Sequence, residues 1–248
     1  LPTLAGEGPP SVCRSARTRQ HGAELIWPAM RPLPTLAVVG LCLALAGCGG
    51  GGKGGSAAAP PITGPIRINL DLKDPSSSFG VLPRGEERKL FKVGFGRHGV
   101  TCAGARFEEG YTPLGRFKVN AILTPTRFVM DPALIKQSGK SEAELRRTLF
   151  KSMNSIDFNG DHEIGEYGLG YVSLAPVGGV KQPFRFDTYD GKFRWYSFAI
   201  HGSNDDKRIG QKVTGGCVNV AAPVLKTLLA SVQLGDEVVV SANGPCTP

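Results

Sequence analysis

Apolar and polar residues alternate along Ile66-Arg-Ile-Asn-Leu-Asp-Leu72, the two-residue period of a strand that buries one face. The same alternation predicts strands over Lys89–Gly94, Gly115–Ile122, Phe193–Ile200 and Glu237–Val240. Glycine and proline punctuate the gaps, as tight turns require. A 3.6-residue period appears twice. Leu145, Leu149 and Met153 follow Ser141-Glu-Ala-Glu144, a capping box in which the serine satisfies free backbone N–H groups and Glu144 reaches back. Val224, Leu225, Leu228, Leu229 and Val232 form a second stripe, with Pro223 suited to a first helical turn. The expected fold is mostly β: a compact, largely antiparallel β-sandwich with a few short helices.

The N-terminal quarter follows different rules. Met30-Arg31, an apolar run from Leu36 to Leu45, and Leu45-Ala-Gly-Cys48 read as a short basic region, a hydrophobic stretch and a lipobox. The run falls short of the roughly twenty residues that span a bilayer, so a cleaved signal fits it better than a permanent anchor. Residues 30–47 are therefore expected to be a lipoprotein signal peptide and Cys48 the lipidated residue, the bilayer being a partner through that lipid. An uncleaved anchor or an ordinary secretory signal is the alternative. Residues 1–29 lack periodicity and precede a complete signal, and are expected to be a disordered, mis-assigned start. Residues 48–64, rich in Gly, Ala and Pro, bury too little apolar surface to offset chain entropy and read as a tether. Residues 65–248 are enough for one hydrophobic core and too few for two, so one folded domain is expected.

The chain carries a net charge of +8, and loss of residues 1–47, with four Arg and two Glu, leaves +6. A basic exported protein is drawn to anionic glycan and phospholipid surfaces. Nucleic-acid binding is excluded on two grounds: export, and Lys/Arg residues that are scattered rather than set in a stripe interleaved with aromatics. The expected localisation is the cell envelope, extracytoplasmic and membrane-anchored. If Cys48 is lipidated and Cys217 reactive, Cys102 and Cys246 remain as a pair able to close a disulfide and pin the C-terminal tail. Counting alone leaves that pairing open.

Asp157-Phe-Asn-Gly-Asp-His-Glu163 resembles the first half of a calcium loop, with oxygen ligands at alternate positions. The second half fails, because His162 replaces the glycine at position six and Gly168 the glutamate at position twelve. A solvated turn at the lip of the cleft is the preferred reading, so no metal and no cofactor are expected. His98 and His162 read as surface residues.

One pair carries chemistry. His201, in Phe198-Ala-Ile-His-Gly-Ser203, precedes Cys217, in Thr214-Gly-Gly-Cys-Val-Asn-Val220, by sixteen positions. A thiol is mostly protonated at neutral pH, and a nearby imidazole converts it to a nucleophile. The bland alternative is a buried cysteine near a structural histidine. Around the pair, Gly216 and Cys217 would offer backbone N–H groups as an oxyanion hole. Thr214 and Asn219 would hold the loop through side-chain hydrogen bonds, and Gly202 would permit close approach beside the base. Ser203 would contact substrate or serve a turn. The helix after the site, if close behind the cysteine, would favour its thiolate.

These motifs resemble the L,D-transpeptidases of the YkuD family. His201-Gly202, Thr214, Gly216, Cys217, Val218 and Asn219 match the family's His-Gly and Ser/Thr-His-Gly-Cys-apolar-Asn/Arg segments. Tyr111-Thr-Pro-Leu-Gly-Arg-Phe117 is similar to its Thr-Pro-x-Gly-x-Phe segment, and Gly235-Asp-Glu-Val-Val-Val240 to its closing strand. Gly215 departs, standing where the family has a second histidine. The resemblance implies a cysteine acyltransferase that cross-links peptidoglycan stem tetrapeptides in cell wall biogenesis. Substrate contacts are expected at Gly202, through its close approach, and at Ser203, for which a turn role is the alternative. An L,D-carboxypeptidase, a wall-attachment transferase and an inactive peptidoglycan-binding lipoprotein are the alternatives.

Overall fold

A computed structural model describes residues 60–106, 108–157, 162–178, 185–189 and 191–248. The predicted signal, Cys48 and nearly all of the tether lie outside the described residues. The strands are β1 (Ile66–Leu70), β2 (Phe79–Arg84), β3 (Glu87–Lys92), β4 (Phe95–Gly96), β5 (Gly99–Thr101), β6 (Tyr111–Pro113), β7 (Gly115–Leu123) and β8 (Phe128–Met130). They continue with β9 (Tyr171–Pro176), β10 (Arg185–Tyr189), β11 (Lys192–Tyr196), β12 (Phe198–His201), β13 (Lys212–Thr214), β14 (Val218–Asn219) and β15 (Glu237–Ala242). The helices are α1 (Pro132–Ser138), α2 (Glu142–Asn154) and α3 (Ala222–Ser231).

The molecule is mostly β, built on a sheet in the order β14-β12-β9-β7-β15-β1-β2-β3, with β8 added to β7. Most neighbours run antiparallel; β1 with β15 and β12 with β14 run parallel. Ile62 and Thr63, just ahead of β1, already pair with Arg84 and Pro83. The central strands are buried on both faces. Phe117 and Val119 of β7, Val172 and Leu174 of β9, and Phe198 and Ile200 of β12 enter one core, closed by Leu225 and Leu228 of α3. Ala121 and Leu123, Tyr171, and Ala199 face the second core. A bulge between Val119 and Ala121 resets the alternation in β7.

The second core is covered by α2 through Leu145, Leu149 and Met153 and by Trp195 and Tyr196 of β11. The predicted capping box of α2 forms: Ser141 Oγ accepts from the Glu144 N–H while the Glu144 carboxylate accepts from the Ser141 N–H. The run expected as one strand over Phe193–Ile200 is two, interrupted at Ser197. β11 leaves the main sheet to pair with β10, and β12 joins β9. Cys102 and Cys246, 144 positions apart, form a disulfide, and Thr101 bridges Thr247 beside it. Among the described residues, no helix is long and apolar enough to cross a membrane.

Candidate active site

The parallel pairing of β12 with β14 sets Ile200 beside Val218 and His201 beside Asn219. Side chains alternate across a strand. Ile200 and Val218 therefore enter the first core, whereas Ala199 and Cys217 enter the second. His201, two residues beyond Ala199, shares the face of Cys217. The two lie diagonally across adjacent strands, at the roughly 7–8 Å backbone spacing that long side chains bridge. Both are buried, Cys217 at 0% and His201 at 5% exposure.

The loop into Cys217 is fixed from two sides. From within, Thr214 Oγ1 donates to the Cys217 carbonyl at 2.6 Å and accepts from the Gly216 N–H at 3.2 Å. From outside, the Thr112 hydroxyl donates to the Gly216 carbonyl at 2.8 Å and accepts from the Gly96 N–H at 2.9 Å. The Gly110 and Arg97 N–H groups bond the Gly215 and Thr214 carbonyls. The Tyr111-Thr-Pro motif thus buttresses the cysteine loop through Thr112, which is fully buried. Gly216 takes φ 130°, a conformation open to glycine and strained for other residues.

Cys217 Sγ lies 3.9 Å from the Ser197 carbonyl oxygen. That carbonyl also receives the Tyr171 hydroxyl at 3.1 Å, and Ser173 Oγ lies 2.8 Å from Ser197 Oγ. The break between β11 and β12 therefore supplies the group against which the sulfur rests. Cys217 is a disulfide cysteine in this structure, and the reactions considered below are those of the reduced chain.

His201 Nδ1 lies 2.6 Å from the Gly202 carbonyl. A carbonyl only accepts, so Nδ1 carries the proton and Nε2 the lone pair. Nε2 is buried and has no hydrogen-bond partner among the described residues. The ring is clamped edge-on by Tyr167, with centroids 4.7 Å apart, and stacked on Tyr171 at 6.3 Å. Burial is the main cause that lowers its pKa from 6.5 to about 4; the Gly202 hydrogen bond opposes this, and the Arg208 charge adds to it. The imidazole is therefore neutral at pH 7, the form a general base needs. Arg208 is held near the Glu163 and Glu166 carboxylates, at 3.4 and 3.9 Å.

Several expected roles change. The Gly216 N–H already bonds Thr214 and is not free to meet an oxyanion. Asn219 ties the loop through its main chain, its N–H and carbonyl both bonding Gly94 at 3.0 Å; its side-chain Oδ1 is buried without a hydrogen-bond partner among the described residues. A Cβ on Gly202 would meet the Tyr167 carbonyl at 2.9 Å and Leu225 at 3.0 Å, so the close approach there is by the Tyr167–Gly168 backbone. Ser203 Oγ donates to the Asp205 carbonyl and accepts from the Asp205 N–H, which is a turn role. The α3 N-cap, Ala221, follows Cys217 by four residues and makes no side-chain cap hydrogen bond. Tyr167, Tyr171 and Ser197 carry no local sequence signal for their roles; Thr112 is marked by its Thr-Pro-x-Gly-x-Phe segment, which does not reveal its contact with Gly216. Part of Asp157–Glu163 lies outside the described residues; there, His162 takes φ 67° and its N–H bonds Asp157.

The positive φ of the cysteine loop falls on Gly216, not Gly215. Gly215→His is thus compatible with the backbone. We expect its thermal midpoint to stay within about 4–8 °C of the parent, the shift of roughly 1 kcal/mol, and its acylation rate to rise. Thermal melts and a thiol acylation assay check this.

A sequence model of the YkuD family, the L,D-transpeptidase catalytic domain, matches residues 68–240. The chain belongs to this family. A comparison with curated proteins finds no match. Among solved structures, an L,D-transpeptidase from Mycobacterium smegmatis aligns at 15% identity and TM-score 0.34, over 71% of this chain and 58% of that one. L,D-transpeptidase 3 from Mycobacterium tuberculosis, in complex with a faropenem-derived adduct, aligns at 11% identity and TM-score 0.38, over 71% and 60%. An L,D-transpeptidase from Xylanimonas cellulosilytica aligns at 14% identity and TM-score 0.31, over 73% and 63%. The chain thus spans 58–63% of the length of these relatives.

Proposed function

We propose that this protein is a peptidoglycan L,D-transpeptidase working through a Cys217 acyl-enzyme. The observation that carries the reading is the buried, neutral His201 on the face of Cys217, its Nε2 lone pair unengaged among the described residues. Rotation of the reduced Cys217 side chain away from the Ser197 carbonyl would bring Sγ toward Nε2, a tightening common between free and substrate-bound sites. His201 then takes the thiol proton and the sulfur adds to the carbonyl carbon preceding the terminal D-amino acid of a stem tetrapeptide. The C–N bond breaks, and the leaving amine takes its proton from the imidazolium. An amine of a second stem attacks the thioester, the C–S bond breaks, and Cys217 regains its proton. Thr112 and Thr214 hold the loop so that these steps occur at fixed geometry. The test is incubation of the reduced protein with disaccharide-tetrapeptides. Release of the terminal amino acid together with a cross-linked dimer supports the proposal; release without a dimer indicates a carboxypeptidase.

We further propose that the chain is held at the cell envelope through lipidated Cys48. Each buried methylene contributes about 0.8 kcal/mol, so several acyl chains anchor far more durably than the basic charge, which salt screens. Cys48→Ala is expected to leave the membrane fraction after a high-salt wash. Persistent association would favour an uncleaved anchor.

A further inference from the structure

Away from Cys217, the outward face of β1, β2 and β15 carries a hollow of about 260 Å³ lined by Asn69, Asp71, Ser77, Phe79, Ser241 and Asn243. The pairing registers explain it. Asn69 lies opposite Phe79 on one side and beside Ser241 on the other, so these three side chains form a row across the sheet. Asp71 and Asn243, two residues beyond Asn69 and Ser241, continue the same face. Along the sheet order β1 is five strands from β14, roughly 24 Å at the usual strand spacing.

Its polar groups are ordered in advance. Asn69 Oδ1 accepts from Ser241 Oγ at 3.1 Å and Asn243 Oδ1 from the Leu72 N–H at 3.0 Å, which leaves the Asn69 NH₂ group as a donor. Asp71 Oδ1 accepts from the Lys73 and Asp74 N–H groups and the Asn243 side chain hydrogen-bonds the same carboxylate, whose remaining lone pairs can accept from a further hydroxyl. Phe79 stands at the edge, 41% exposed, a large apolar ring facing water where the buried side of β2 has no use for it. The Asp71 carboxylate disfavours an anion, the polar floor disfavours an apolar ligand, and no group of metal ligands occurs among the described residues. What remains is a neutral, polyhydroxylated ligand with one apolar face, small enough for a hollow below the about 300–1,000 Å³ of drug-sized pockets.

We propose that this hollow is a carbohydrate subsite: one pyranose ring packs its C–H face on Phe79 and gives its hydroxyls to Asn69 and Asp71, with Asn243 holding the Asp71 carboxylate in place. The site holds a glycan strand on the same molecule that carries the cysteine, and does not depend on Cys217 chemistry. Saturation-transfer NMR on the full reduced chain, with a β-1,4-linked N-acetylglucosamine tetramer and, separately, cellotetraose, tests it. Binding of the acetylated tetramer at about millimolar Kd, weakened at least about tenfold by Phe79→Ala and by Asn69→Ala, is the expected result. Binding of cellotetraose as well assigns the site to pyranoses in general; binding of the acetylated oligomer alone assigns it to amino-sugar glycans. No transfer to either sugar at about 10 mM, or Phe79→Ala binding like the parent, overturns the proposal. Acylation at Cys217, followed in the same variants, is expected to be unchanged. Its absence from the parent would count against the cysteine mechanism and leave this site standing.

Discussion

Cys217→Ser is expected to lower turnover on the order of 10⁴-fold or more, the scale on which loss of a covalent nucleophile acts, while the fold survives. The hydroxyl is close to the thiol in size and the Ser197 carbonyl, 3.9 Å from Sγ, gives it an acceptor inside the second core. Circular dichroism and a thermal melt of the reduced proteins check the fold, and acyl transfer checks the chemistry. Turnover near the parental rate in a folded variant would remove Cys217 from the mechanism.

His201→Gln is expected to slow acylation by roughly 10²- to 10⁴-fold, the range for losing a positioned general base. It should also change how stability depends on pH. His201 has a folded pKa of about 4 against the ordinary histidine value of 6.5. Between those values the unfolded chain binds a proton that the native state refuses, so acidification favours unfolding. The stabilisation is complete above about pH 6.5 and is lost as pH falls to about 4, on the order of 3 kcal/mol at 1.36 kcal/mol per pKa unit. Urea midpoints at pH 7 and pH 4.5 are expected to fall more for the parent than for His201→Gln. Equal falls would show that the buried imidazole does not set this dependence.

The sequence declared strands where one face is wet. β1, β15 and the first half of β7, residues 115–119, carry a usable alternation because core and solvent lie on opposite sides. β9 is buried along Tyr171–Leu174, and a strand covered on both faces loses its two-residue signature. The join at Ser197 was hidden because no glycine or proline marks it and Ser197 sits between aromatic residues. α1, seven residues long, is too short for a helical period to stand out. In the site, His201 and Cys217 were legible because their chemistry is rare and their neighbours small. The clamp on His201 comes from Tyr167 and Tyr171, and the buttress on Gly216 from Thr112, more than a hundred residues earlier. Such contacts are made by tertiary pairing and leave no mark on local spacing. The Gly216 N–H, expected to line an oxyanion hole, bonds the threonine two positions earlier, a local competition that spacing does not resolve.

The central claim is that reduced Cys217 is a nucleophile activated within this fold. Intact mass spectrometry of the reduced full chain after incubation with a carbapenem, followed by peptide mapping, tests it most directly. The account predicts one carbapenem added per chain, on the peptide bearing Cys217, and no addition to Cys217→Ser. An unmodified parent chain, or an adduct mapped to another residue, would contradict it.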